Sequence, residues 1–345
     1  MLPERRTDMW TEDKLNELLT TPQPGLVEDM KKIDGDIMVL GAGGKMGPTL
    51  CVLAKKAMIA AGLEHDVIAV SRFSDPIATA FLKENGVKLI SCDLLEPGAL
   101  ESLPEVKNII FMAGKKFGTN GNEYATWGMN VWLPSRVAEH YQKSRIVAFS
   151  SGNLYPKVHL YGGATEETPA DPIGEYAMTC LGRERMFEYG AKTFGTSVAL
   201  FRLNYAIDLR YGVIYDIANK IMTGTPIDIT TPSFNCIWQA DANAAAIRLL
   251  LHASPEVFTL NVTGPENASV AETARKLGKL LGKEPVFTGT PSDNALLSNA
   301  GRMFDLFGYP TVSLETMIGW QAEWIQAGGR ALNKPTHFEE RKGTY

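Results

Sequence analysis

The chain has 345 residues, 45% of them apolar and 21% charged, with a formal net charge of −5. That length holds one large core, or a core with a smaller appended lobe, and the acidic balance argues against nucleic acid or an anionic membrane as the main partner. No apolar run approaches the roughly 20 residues of a membrane span, and MLPERRTDMWTEDKLNELL is too charged for a secretory signal. Cys51, Cys92, Cys180 and Cys236 lie far apart without a CxxC pair, which argues against a metal site and a disulfide framework and predicts a cytoplasmic protein.

Residues 1–33 read as a polar extension. Thr11 is placed to cap a short helix through Leu19, with Glu12 and Asp13 favouring its N-terminal end, and TPQPG, Thr21 to Gly25, breaks it. The expectation is a helix packed outside the domain or on a partner subunit. From residue 36 strand and helix patterns alternate. DIMVLG is a strand, Gly47 to Ala61 a helix, Asp66 to Val70 a strand, Pro76 to Glu84 a helix. VKLIS (Val87 to Ser91) and NIIFMAG (Asn108 to Gly114) are the third and fourth strands, and Glu123 to Lys143 reads as one long helix before the strand RIVAFSS, Arg145 to Ser151. These strands are continuous apolar runs, as expected when helices cover both faces of a parallel sheet. The pattern predicts an α/β fold, a Rossmann-type doubly wound parallel sheet with ligands at the C-terminal strand ends.

After Ser151 a loop-rich stretch carries Tyr155, His159 and Tyr161, long enough to suggest a functional loop. A helix from Tyr176 to Thr193 leads into the strand SVALFRL, Ser197 to Leu203. Beyond it come a helix near Gly212–Met222, a strand near Cys236–Trp238, a helix capped by Asp241 running to His252, the strand VFTLNV (Val257–Val262), and helices at Val270–Leu281 and Leu314–Ala327. The domain expectation is an extension at 1–33, a dinucleotide-binding domain at 34–205 and a mainly substrate-binding lobe at 206–330, some of whose segments return to the first domain. NKPTHFEERKGTY reads as a C-terminal arm, 331–345, either ordered or frayed.

The chemistry starts at GAGGKMG, where an apolar strand meets glycines and then a helix. Gly41, Gly44 and Gly47 permit the turn and a close backbone approach, and the helix N-terminus offers unpaired N–H groups to a pyrophosphate; Lys45 and Met46 lie inside the same turn. Asp93 follows the third strand, where its carboxylate can accept from an adenine amino group or cap the turn at Leu94–Ala99. Ser71-Arg72 ends the second strand, where an NAD enzyme usually carries an acid for the ribose hydroxyls. The arginine there favours NADP over NAD by pairing with a 2′-phosphate.

In this order the motifs resemble the extended short-chain dehydrogenase/reductase superfamily, the NAD-dependent epimerase/dehydratase group, over roughly residues 36–325. GAGGKMG is similar to the family's GxxGxxG, Cys92-Asp93-Leu94 to its adenine-contacting aspartate, and FMAG to the strand end under the cofactor, at Ala113 and Gly114. Asn130-Val131 is similar to its "NV", and FSSGNLY to its SSxxxY segment with the active-site serine at Ser151. The resemblance implies cofactor contacts at Gly41, Gly44, Lys45, Met46, Gly47, Ser71, Arg72, Asp93, Leu94, Ala113, Gly114, Lys115, Asn130, Tyr176, Leu203 and Asn204. It also implies Tyr176 as the proton-handling residue and dimerisation through the helices at Glu123–Lys143 and Tyr176–Thr193.

One position departs from the pattern. EYAMTCLGRER stands where the family has YxxxK, yet four residues after Tyr176 comes Cys180. Tyrosine titrates near 10, and each unit of depression needs about 1.4 kcal/mol of preferential phenolate stabilisation, which a neutral thiol does not supply. A cation from Lys115 or Lys116, a tyrosine acting as a neutral acid, or loss of catalysis each account for it. Lys116, Tyr155, His159 and Asn204 are candidate substrate contacts; for Arg202 a buried ion pair is favoured. The expected function is hydride transfer at a hydroxyl or ketone carbon of a sugar-like or polyhydroxylated small-molecule substrate with NAD or NADP. The alternative is a cofactor-binding sensor or scaffold that has lost catalysis.

Overall fold

The computed structural model describes residues 10–116, 118 and 121–343. Its centre is a seven-stranded, wholly parallel sheet. The strands are β1 (Ile37–Leu40), β2 (Val67–Ser71), β3 (Lys88–Ser91), β4 (Asn108–Phe111), β5 (Arg145–Ser151), β6 (Ser197–Leu203) and β7 (Phe258–Val262). In space they run 7-6-5-4-1-2-3, the doubly wound order, with the chain reversing direction at β1/β4. Alternation within β1 shows why the runs are wholly apolar. Ile37 and Val39 pack into the core under the helix Gly47–Ala60, whereas Met38 and Leu40 pack into the core on the opposite face.

The helices are α1 (Glu12–Thr20), α2 (Pro24–Met30), α3 (Gly47–Ala60), α4 (Pro76–Glu84), α5 (Glu123–Trp127), α6 (Leu133–His140), α7 (Gly174–Phe194), α8 (Val213–Thr223), α9 (Gln239–Arg248), α10 (Val270–Leu281), α11 (Gly301–Phe307) and α12 (Leu314–Gln326). Thr11 caps α1 by accepting from the Lys14 N–H at 3.1 Å. The helix packs on this same chain: Leu15 and Leu19 join a second core built from α8, α10 and α12. TPQPG does more than stop α1, because Pro24 stands in the first turn of α2, where its missing N–H costs nothing.

The expected long helix at 123–143 is broken. A π turn spans Gly128–Trp132 and α6 starts afresh with Pro134 in its first turn, ending at His140. Proline cannot donate to the preceding turn and crowds it, so the ladder widens there. Asp241 does not cap α9; Trp238 is the cap residue. The Asp241 carboxylate instead accepts from the N–H and hydroxyl of Thr311, at 3.0 and 2.7 Å. The regular helix ends at Arg248, and Leu249–His252 tighten into a 3₁₀ turn. Sequence reasoning passed over α11.

The described part of the C-terminal arm, residues 331–343, packs on the rest of the chain. Thr336 is buried, and its N–H and hydroxyl both donate to Asp216 on α8, at 2.7 and 2.6 Å. Phe338 is buried in the second core, Glu339 pairs with Lys220, and Gly343 packs against Gly174 at the start of α7.

Candidate functional site

The glycine turn between β1 and α3 is shaped by contacts that only hydrogen tolerates. Gly41 has φ +87°, and a Cβ on it would lie 2.5 Å from the backbone N of Ala113. A Cβ on Gly47 would meet the carbonyl oxygen of Ala42 at 2.3 Å. Gly44 differs: nothing lies closer than 3.6 Å to its ideal Cβ position, so its backbone is open to a visitor. Met46 precedes α3 without any side-chain cap, so the first-turn N–H groups have no capping side chain and point toward the turn.

Beside this turn lies a cavity of about 220 Å³, lined by the glycine turn, Ser71, Arg72, Asp93, Leu94, Ala113 and Gly114 among others. It groups eight of the predicted cofactor residues from four separate strand ends, while Lys45, Met46, Gly47, Lys115, Asn130, Tyr176, Leu203 and Asn204 do not line it. Asp93 accepts from the Leu95 N–H at 3.1 Å, holding its own turn, while Arg72 reaches its other oxygen at 3.6 Å. Arg72 is otherwise exposed to the cavity, with 72% of its side chain accessible. A second cavity, of about 120 Å³, lies between α2, α9 and α11, away from every predicted catalytic group.

Asn130 is consumed by the frame of the site. It accepts from the Lys115 N–H at 2.8 Å and from Arg183 at 2.9 Å, and it donates to the Lys115 carbonyl and Thr179, each at 2.9 Å. The π turn aims it inward. Its direct contribution is to fix the loop after β4, not to present a polar group to a ligand.

Ser151 closes β5. Its oxygen accepts from the N–H and amide of Asn153, both at 3.2 Å, and it is hydrogen-bonded to Tyr176 in the first turn of α7. Tyr176 is also hydrogen-bonded to Cys180 one turn on. Burial, reinforced by Cys180, pushes the Tyr176 hydroxyl well above its ordinary pKa despite the Arg183 guanidinium nearby. Burial likewise raises the Cys180 thiol, so it stays neutral.

Two lysines reach the same cleft. Lys116 holds its ammonium 5.5 Å from the centroid of the Tyr176 ring and donates to the Thr336 carbonyl at 3.3 Å. Lys45 holds its ammonium 3.8 Å from the centroid of the Tyr211 ring and donates to the Lys334 carbonyl, also at 3.3 Å. Burial lowers Lys116 to about 8, and burial together with Lys116 and Lys334 lowers Lys45 to about 7.

Other predicted residues fall elsewhere. Tyr155 does not line the cleft. It is 2% exposed, donating to Asn261 at 2.8 Å and accepting from Arg202 at 2.7 Å. Arg202 makes a bidentate pair with buried Glu184, at 2.9 and 2.7 Å, the ion pair expected for it. His159 is exposed on a two-residue strand paired with Asn294–Ala295. Asn204 is buried and donates to Asn235 at 2.6 Å; Leu203 is half-buried at the end of β6. Sequence reasoning missed Arg183 and Glu184, though both stand in EYAMTCLGRER, and it missed Asp216; it read an arm at 331–345 but not that Thr336 packs on Asp216.

The model of the NAD dependent epimerase/dehydratase family matches residues 37–233. The chain belongs to that family. No curated protein matches it. Among solved structures it is similar to UDP-glucuronic acid 4-epimerase from Bacillus cereus in complex with NAD, at 18% identity and TM-score 0.69, covering 84% of this chain and 98% of that one. It is also similar to dTDP-glucose 4,6-dehydratase from Bacillus anthracis in complex with NAD (18%, TM-score 0.70, 85% and 97%). A UDP-galactose 4-epimerase gives 20%, TM-score 0.67, 85% and 99%. At these identities the likeness establishes the shared fold. The epimerase/dehydratase family match ends at residue 233, so the arm that carries Thr336 lies outside it. Among the described residues no helix is long and apolar enough to cross a membrane.

Proposed function

We propose that this epimerase/dehydratase-family protein is an NAD(P)-dependent enzyme acting at a hydroxyl or ketone carbon of a sugar-like substrate. The observation that carries this reading is the Ser151–Tyr176 hydrogen bond at the strand ends beside the glycine turn. The turn fits a dinucleotide: the open face of Gly44, the uncapped start of α3 and the adjoining cavity match a pyrophosphate and adenosine. Gly41, Gly44 and Gly47 would hold the pyrophosphate, Asp93 and Leu94 the adenine, and Arg72 with Ser71 the ribose side, where an arginine favours NADP. When bound, the dinucleotide supplies the hydride donor or acceptor.

Ser151 would polarise the substrate oxygen. Burial keeps Tyr176 protonated at neutral pH, so it is set to donate a proton to an oxygen gaining negative charge. Cys180 stands where the family's lysine would be and brings no charge; the ammonium beside the tyrosine ring comes from Lys116. Residues 34–205 form the dinucleotide-binding domain and 206–330 mainly the substrate lobe, with β7 returning to the sheet. A homodimer through α5, α6 and α7 is supported by the exposed Tyr124 and Trp127 on α5, Met178 and Tyr189 on α7, and Trp132 in the π turn that precedes α6.

A cofactor-binding sensor is the second reading, favoured by the neutral thiol at Cys180. A panel of polyols and sugars with NAD and NADP, followed by absorbance of the reduced nicotinamide, separates the two. Turnover on any member supports the enzyme; tight cofactor binding with no turnover on all of them supports the sensor.

A further inference from the structure

Tyr176, Cys180 and Arg183 share one face of α7, where residues three, four and seven apart fall in a single stripe. Arg183 is 6% exposed. Its Nη1 donates to the Phe149 carbonyl on β5 at 2.7 Å, and its Nη2 donates to the Asn130 side chain at 2.9 Å. Gly114, three residues past β4, lies directly over it: a Cβ there would meet Nη2 at 2.7 Å. The guanidinium is therefore held beneath the floor of the cleft, between the ends of β4 and β5 and the start of α7. Its anchor on β5 stands two residues before Ser151.

What Arg183 lacks is a countercharge. Among the described residues no carboxylate pairs with it, and its buried Nε has no hydrogen-bond partner. Glu184, the next residue, is bidentate with Arg202 and also accepts from Ser150. A buried charge without a partner is costly, and the charge it can offset is one that arises only during a reaction. Tyr176 is placed to carry that charge, since it is half-buried at the cleft and bonded to Ser151.

The tyrosine is faced by Cys180 and Arg183 from its own helix, by Ser151 from β5, and by Lys116 from the loop after β4, which the Thr336 carbonyl of the arm holds. Arg183 opposes the effect of burial on the Tyr176 hydroxyl. Burial lowers Lys116 to about 8, so its charge fades before a tyrosine, near 10 in water, ionises. An arginine keeps its charge throughout.

We propose that Arg183, three residues beyond Cys180, takes the electrostatic part of the family's lysine and supports the Tyr176 phenolate that accepts a substrate hydroxyl proton. That step is the reverse of proton donation by the neutral tyrosine. Arg183 is a positioning residue, acting through Tyr176 from below the Gly114 floor. The inference rests on the enzyme reading for the use made of the phenolate, but not for the coupling of the two charges.

The test is a carbon-13 NMR titration of the full chain labelled at tyrosine Cζ, with the Tyr176 signal assigned from Tyr176→Phe. Arg183→Gln removes the charge and keeps an amide donor for the Phe149 carbonyl. It should move the Tyr176 titration to higher pH, whereas Lys116→Gln should leave it where the parent has it. An unmoved titration in Arg183→Gln overturns the proposal, as does a Tyr176 that stays protonated until the chain unfolds. Should Arg183→Gln fail to fold, Lys116→Gln decides: a rise there makes Lys116 the supporting cation and overturns the role of Arg183. On a substrate the parent oxidises, the pH at which the single-turnover rate levels off should also move up in Arg183→Gln. A lower rate with that pH unmoved shows a merely structural role and overturns it. If the titration moves but no sugar or polyol forms reduced nicotinamide, the enzyme reading fails and the coupling stands. If substrates turn over while titration and rate profile are unmoved, the enzyme reading stands and this one falls.

Discussion

Lys116 places its ammonium over the ring of Tyr176, 5.5 Å from the centroid, although one residue follows β4 and the other opens α7. Burial pulls this lysine to about 8 and Lys45 to about 7, while an unfolded lysine titrates near 10.4. Below pH 7 folding must carry both charges into the cleft, and that penalty is largest there. Between about pH 7 and 10 the unfolded chain holds protons the native chain has lost, so stability rises with pH, by at most about 1.4 kcal/mol per unit per lysine. Lys45→Met should therefore be more stable than the parent at pH 7, with the gap closing toward pH 10. Denaturant midpoints at the two pH values check this; a gap that is constant or widens contradicts it.

Arg72 is mostly exposed and reaches Asp93 at 3.6 Å, a loose pair worth about 1 kcal/mol or less. A 2′-phosphate can take the guanidinium from it. Arg72→Ala should lower the NADP-to-NAD affinity ratio at least tenfold, with NAD affinity within threefold of the parent. Fluorescence titration with both cofactors measures it, and an unchanged ratio removes the NADP preference.

Glu184 is fully buried and bidentate with Arg202. Removing one partner strands a buried charge, so Glu184→Ala should cost about 3–5 kcal/mol. The double replacement Glu184→Leu with Arg202→Met should recover much of that. Urea unfolding of the three proteins decides it; equal losses in the single and double variants would show the pair is not the source.

Tyr189 and Met178 are exposed on one side of α7, eleven residues apart and so nearly in phase on a helix, and Trp132 is exposed beside α6. Tyr189→Glu should convert the expected dimer to a monomer in light scattering at micromolar concentration. A monomeric parent protein would end the dimer proposal.

The sheet was legible because its strands are short apolar runs of the right length between glycine and helix signals, and β5, β6, α4 and α10 fall where periodicity puts them. The glycine turn was legible for the same local reason. What was not legible depends on partners distant in sequence. Nothing around Tyr155 indicates that its hydroxyl meets Asn261 and Arg202, and a charged tail such as THFEER gives no sign that Thr336 will be buried on Asp216. The break at Gly128–Trp132 was readable in principle from Pro134, but helix periodicity masked it.

The central claim is that Tyr176 moves a proton while a substrate carbon exchanges hydride. Its most direct measurement is the single-turnover rate of reduced-nicotinamide formation in Tyr176→Phe, on a substrate the parent oxidises, with cofactor affinity measured alongside. The predicted result is a loss of 10²-fold or more in rate with cofactor affinity within threefold. A rate within threefold of the parent would show that the Ser151–Tyr176 pair is not the acid/base centre.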